Sequence, residues 1–516
     1  MSGERNSQSE NNKRIAKNTF LLYIRMLFSM FVSLYTSRVV LNVLGVDDFG
    51  IYNVVGGVVG MFTVLSGSMS AAISRFLTFE LGRKDSQKLR SVFVTSVNIQ
   101  FVFSFAFLLL TESVGFWFLN EEMNIDSCRL EAANWVLQCS IFTFVINLVS
   151  LPYHALIIAH ERMKAFAFIS ILETLLKLLG VSLLAFSLWD KLVTYAVFLF
   201  CNALFIRLIY QIYCRKHFDE CVYQFSFDKG QLKEMIRFAG WNFIGASSSV
   251  LKDHGVNIVI NLFSGVAVNA ARAVSVQVSN AIGAFVSNFM MALNPQITKS
   301  YASGSFSYMN TLMLQGARLS FYLLLFFSLP VLIETETLLS FWLGSYPEHS
   351  VSFVRLILLL AMSDALSGTL ITGMLATGEI RNYQIVVGGL QMLNFPISYG
   401  LLKYGFSPES TMFVAILISI SCLLVRLFFL RRMVGLSVVY YLHHVVGNVF
   451  GVALLSLFVP MVLHVSMEQG LFRFLMICFV SSGNTLFAVY FIGCSVAERQ
   501  MIRNRICLLL KKEVSR

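Results

Sequence analysis

The chain is 516 residues long, 57% hydrophobic and 13% charged, with a formal net charge of +11 and a mean hydropathy of +0.72. A soluble domain carries about 25% charged residues, so this composition excludes one. Apolar runs of about 20 residues recur from end to end, each long enough to cross roughly 30 Å of hydrocarbon as a helix, and no alternating ten-residue pattern suggests a barrel.

The polar stretch 1–17 reads as an N-terminal tail, and the apolar run after it is too long for a cleaved leader, so the first span is expected to be retained as a signal anchor. Spans are expected at 18–44, 50–75, 91–112, 132–153, 166–188, 192–213, 238–263, 266–293, 311–333, 350–376, 384–402, 411–430, 443–465 and 471–492. The fold class is therefore all-α integral membrane, with about 14 transmembrane helices.

The connections alternate in charge. One set holds Lys13, Arg14 and Lys17, then Arg83, Lys84, Lys88 and Arg90, then Arg162 and Lys164, then Arg215, Lys216, Lys229 and Lys233, then Arg431 and Arg432, and it continues in the basic tail. The other set has almost no basic residue beyond Arg129, Lys191 and Lys403. An excess of Lys and Arg marks cytoplasmic connections, so both termini are expected in the cytoplasm. That asymmetry accounts for most of the net charge, and no nucleic-acid partner is needed to explain it.

Two basic-side connections match: AHERMKAF from Ala159 and ATGEIRNY from Ala376, at an offset of 217 residues. RVVLNVLGV from Arg38 and NIVINLFSG from Asn257 match at nearly the same offset. Together they imply two tandem six-helix bundles, 18–213 and 238–430. A cytoplasmic linker at 214–237 joins them, and two additional helices at 431–492 precede a basic cytoplasmic tail at 493–516. Each bundle has an even number of spans, so the copies share orientation as parallel repeats, and a cleft between them is the expected substrate path.

The nine cysteines are scattered without a C-x-x-C pair, which gives neither a disulfide framework nor a metal site. The sequence HERMK opens like a zinc H-E-x-x-H motif, but Lys164 stands where the second histidine belongs. With no phosphate loop or nucleotide fold either, the expectation is a non-enzyme without cofactors.

Charged side chains at bilayer depth are costly and point to function. The seventh span carries a polar stripe of Asn242, Ala246, Ser249, Asp253 and Asn257 on one helical face, with Lys252 and His254 beside it. The first span contributes Arg25 and Arg38, the second Asn53 and a stripe of Gly56, Gly60, Thr63 and Gly67, and the eighth Arg272. The glycine stripe reads as helix packing. Glu173 and Lys177 have the spacing of a structural pair. Arg75, Arg207, Arg426 and Arg473 lie near span ends and are expected to reach the headgroups.

The six, six and two arrangement, the NKRIAKNTF start, the turn of Leu44, Gly45, Phe49, Gly50 and Tyr52, and the charged seventh span resemble the polysaccharide transport family of the MOP exporter superfamily. That family comprises flippases for O-antigen, capsule and exopolysaccharide precursors; lipid II flippases and MATE drug exporters are its relatives. The resemblance implies a MATE-like fold in the bacterial inner membrane and places the first, second, seventh and eighth spans at the cleft.

Deep cations, Arg25, Arg38, Lys252 and Arg272, outnumber the deep carboxylates Asp253 and Asp364. A cationic cavity suits an anionic cargo, because guanidinium and ammonium groups replace the water stripped from phosphate oxygens. The expected substrate is an oligosaccharide linked to an isoprenoid diphosphate of the undecaprenyl type. Arg25, Arg38, Lys252, Arg272, Asn53 and Asn257 are expected to bind it, with Asp253, His254 and Asp364 as candidates for energy coupling. Membrane lipids, a glycan polymerase and its chain-length machinery are the other expected partners. The competing reading is an ion-coupled exporter of small molecules with Asp253 and Asp364 as its coupling carboxylates.

Overall fold

The computed structural model describes residues 2–60, 62–122, 127–184, 187–222, 228–496, 498–500 and 503. They are helical throughout, with no strand among the described residues. In chain order the α-helices are α1 (Ser2–Gly60), α2 (Thr63–Arg83), α3 (Ser86–Leu110), α4 (Leu130–Ala159), α5 (Met163–Leu184), α6 (Lys191–His217), α7 (Lys229–Ala302), α8 (Phe306–Ile333), α9 (Thr335–Leu343), α10 (Ser350–Thr377), α11 (Arg381–Met392), α12 (Asn394–Lys403), α13 (Ser410–Val434), α14 (Val438–Tyr441), α15 (Asn448–Ser466) and α16 (Leu471–Ala488).

Among the described residues 12 helical stretches are long and apolar enough to cross a membrane, against the expected 14 or so. The two expected spans without a counterpart are 50–75 and 238–263. The first is glycine-rich and broken between α1 and α2; the second carries the polar stripe and the Lys252, Asp253, His254 triplet. The stretch 1–17 also departs from expectation, because α1 runs from Ser2. Its Glu, Arg, Lys and Gln residues favour helix, and Arg14 Nη2 donates to Asn11 Oδ1 one turn earlier at 3.1 Å.

α1 and α7 are each two helical arms joined at one glycine. Gly45 has φ 80 and ψ 174, and Gly265 has φ 82 and ψ −179. That backbone region is open essentially to glycine alone, so the Leu-Gly turn is a requirement of the bend. Two further pairs repeat the backbone pattern: Lys84 and Gly304, and Glu161 and Gly378, all with positive φ. Glu161 and Gly378 hold the same place in the two matching connections.

The chain divides into two compact units, Met1–Ser247 with Met291–Ser305, and Ser248–Met290 with Phe306–Arg516. In the first unit Val136, Leu137 and Ile141 of α4 are fully or almost fully buried, and Phe107 meets Phe62 and Phe144 at ring distances of 5.0 and 4.4 Å. Gly82 sits where a Cβ would lie 2.9 Å from the Lys299 carbonyl oxygen, so α2 and the end of α7 touch backbone to backbone.

In the second unit α8, α10 and α13 form the core around Phe353 and Tyr441. Tyr441 donates to the Leu366 carbonyl at 2.6 Å and Thr369 to the Met313 carbonyl at 2.8 Å, since a buried polar group without water needs a protein partner. The additional helices α15 and α16 pack on each other and on α8. Their outer faces expose Phe458 (68%), Phe472 (70%) and Phe479 (80%), an apolar surface suited to lipid rather than water.

Candidate substrate site

In the second unit the bend at Gly265 folds one arm of α7 back toward the other. Asp253 and Asn257 lie on the first arm and Arg272 on the second. Arg272 is 6% exposed, and its Nη1 donates to the Asp253 carbonyl at 3.0 Å and to Asn257 Oδ1. The Asp253 carboxylate adds electrostatic support. Nε of Arg272 is buried with no hydrogen-bond partner among the described residues. An orphaned donor in a dry site costs about 1–3 kcal/mol, and an acceptor brought by a ligand would recover that cost.

Lys252 Nζ lies 3.8 Å from Asp253 Oδ1. Adjacent helix positions point about 100° apart, but the four-carbon stem of Lys252 bends back far enough to make the pair. The lysine side chain is 14% exposed and the aspartate 62%, so the cation faces inward. Lys252, Asp364 and Arg426 all act electrostatically on the buried Cys422 thiol of α13. Asp364 is exposed and accepts from Ser419 at 2.5 Å. Ser249 donates to Gln391 of α11 at 2.8 Å, and His254 is exposed. The polar stripe thus splits: Ser249 bonds a neighbouring helix, while Asp253 and Asn257 hold Arg272.

In the first unit the Arg25 guanidinium lies 4.9 Å from the centre of the Phe166 ring, with Tyr210 and Glu173 in electrostatic reach. Glu173 pairs with Lys177 at 2.6 Å, as their spacing predicts. Ser29 and Thr174 share a hydrogen bond at 3.2 Å, which fixes α1 against α5. Arg38 is exposed, and the side chain of Asn53 lies outside the described residues.

The glycine stripe is not the packing seam expected of it. A Cβ added at Gly56 or Gly67 would meet nothing within 4 Å. Gly56 instead opens on a cavity of about 200 Å³ lined by Tyr52, Ser140, Thr143 and Asn147 among others.

The four end-of-span arginines also differ from expectation, because each has a protein partner. Arg75 lies over Phe76 and Phe79, both at 4.6 Å, and Arg207 over Tyr153 at 3.9 Å. Arg426 Nε donates to the Tyr383 hydroxyl at 3.3 Å, and Arg473 pairs with Glu334 at 2.7 Å. Aromatic faces and a carboxylate compensate these cations more strongly than a long reach to the headgroups.

Glu161 was missed by the sequence reading. Its side chain is 1% exposed and takes Arg14 at 2.8 Å, Lys299 at 2.5 Å and Gln296 Nε2 at 2.7 Å, while its carbonyl accepts from Asn18 at 3.4 Å. Four partners from the start of α1 and the end of α7 thus meet at one turn. The signal lay in the matched connections: where one copy has Gly378, the other keeps a glutamate at φ 57. Such strain is tolerated where the side chain repays it.

The helical, glycine-bent architecture with buried cations defines a multi-pass membrane protein with a transporter fold. A MATE transporter in its bent conformation superposes with a TM-score of 0.72 at 12% identity, covering 82% of this chain and 96% of that one. An outward-facing multidrug resistance MATE family transporter of the MOP superfamily gives 0.71 at 12% over the same shares. A MOP superfamily transporter from Pyrococcus furiosus, described by the reverse polarity of its binding pocket, gives 0.69 at 13%, again over 82% and 96%. No curated relative matches the sequence. The chain belongs to the polysaccharide biosynthesis protein family, whose model matches residues 15–301.

Proposed function

We propose that this protein is a flippase that moves an oligosaccharide, linked to an isoprenoid diphosphate of the undecaprenyl type, from the cytoplasmic to the outer leaflet of a bacterial inner membrane. The product would feed assembly of a cell-surface polysaccharide such as O-antigen or capsule. Family membership supports a sugar-linked cargo, and the basic connections support cytoplasmic termini.

The observation that carries the reading is Arg272: a buried guanidinium, oriented by Asn257 and the Asp253 carbonyl, with Nε left unbonded. A carboxylate-lined pocket would suit cationic drugs. A fixed guanidinium with an open donor suits phosphate oxygens.

In this reading the repeats 18–213 and 238–430 rock about the substrate, with Arg25, Arg38, Lys252 and Arg272 taking the diphosphate while the isoprenoid tail stays in lipid. Asn53 and Asn257 serve the sugars or the cations, and Asp253, His254 or Asp364 resets the cycle. With the cell interior negative, outward movement of the diphosphate is favoured by roughly 2.3 kcal/mol per charge per 100 mV. No cofactor is required.

Deleting the gene should make lipid-linked oligosaccharide accumulate on the cytoplasmic face and deplete surface glycan. Unchanged glycan with altered drug resistance would instead support small-molecule export.

A further inference from the structure

A second cavity of the first unit is lined by different residues from the one beside Gly56. It measures about 530 Å³ and sits in the first unit between the α2–α3 turn and the connection after α6, lined by Glu80, Lys84, Asp85, Arg90, Asp219 and Glu220 among others. The lining holds four carboxylates to two cations.

Two of the carboxylates are committed to the protein. Asp85 Oδ1 accepts the Lys88 backbone N–H at 3.0 Å as the α3 cap, and Glu220 takes His160 at 2.5 Å, with Phe218 stacked on the His160 ring at 4.3 Å. Glu80 is different. The residue is 7% exposed, and its Oε2 is buried with no hydrogen-bond partner among the described residues. Burial raises its pKa, against the pull of Arg83, Lys88 and Arg75. Among the described residues no three His, Cys, Asp or Glu converge as a metal site.

We propose that this cavity binds an organic cation, a guanidinium or primary ammonium, whose N–H groups reach Glu80 at the base while Asp219 at the rim completes the charge balance. A compact, directional donor suits one buried carboxylate oxygen. The occupant would join the α2–α3 turn to the first residues of the linker, a place independent of the cation cluster assigned to the cargo.

The test uses the full chain purified in detergent and agmatine as the probe. Saturable binding is expected, weakened at least tenfold by Glu80→Gln and several-fold by Asp219→Asn, whose exposed site leaves folding intact. Neutral N,N′-diacetylputrescine should not compete. Nα-acetylarginine amide, which presents the same group as a peptide would, separates the sources: tighter binding than agmatine assigns a protein side chain, and weaker binding a free amine. Absence of saturable agmatine binding, or binding indifferent to both substitutions, overturns the proposal.

Discussion

Arg272 donates through Nη1 to the backbone carbonyl of Asp253, 19 residues earlier on the same bent helix. A contact of that span within one helix exists only because Gly265 reverses the arms, so the bend and the cation form one device. Arg272→Lys keeps the charge but not the fork. The expected result is an inserted protein whose surface glycan falls at least tenfold, read by surface labelling beside a membrane-fraction blot.

The bends themselves carry a backbone cost. An added Cβ at Gly45 or Gly265 would meet no atom within 4 Å, so Gly45→Ala and Gly265→Ala should each destabilise by about 1–3 kcal/mol through conformation alone. Gly82→Ala must push α2 off the end of α7 and should cost more than either. Thermal unfolding of the three variants in one detergent gives the ranking.

Glu161 compensates two cations from a buried turn. Glu161→Gln leaves Arg14 and Lys299 facing a neutral group, and breaking a buried pair from one side costs about 3–5 kcal/mol. A fall in melting temperature larger than that of Gly378→Ala is expected. Equal falls would mean that the turn conformation, and not the ion cluster, sets stability.

Glu334 and Glu409, outside the spans, contribute to the acid limit. Burial alone would push Glu334 up, but hydrogen bonds from Thr337, Arg473 and His464 outweigh it and hold it below the ordinary carboxylate range. Glu409 is held low in the same way, burial being outweighed chiefly by His349. A depressed folded pKa means stability that is complete above the unfolded value of about 4.3 and is lost as pH falls through the folded value. Melting temperature should therefore drop below about pH 4, and Glu334→Gln should flatten that drop while lowering stability at neutral pH.

Much of the fold was legible in the sequence because the bilayer imposes it: apolar length marks the 12 helical stretches able to span among the described residues. Where the lipid rule weakens, the reading weakened too. The stretch 50–75 is glycine-rich and 238–263 carries the polar stripe with Lys252, Asp253 and His254, so length and apolarity no longer mark them. Local contacts such as Glu173 with Lys177 follow from spacing. Partners such as Glu161 with Lys299, 138 residues apart, or Arg75 with its aromatic faces, depend on which helices meet, and no local pattern encodes that.

The most direct measurement is the leaflet occupied by undecaprenyl diphosphate oligosaccharide in vesicles containing the wild-type chain or Arg272→Gln. Movement to the outer leaflet with wild type, and retention on the cytoplasmic leaflet with the inserted variant, is the predicted result. Equal movement in both would contradict a role for the buried guanidinium in carrying the diphosphate.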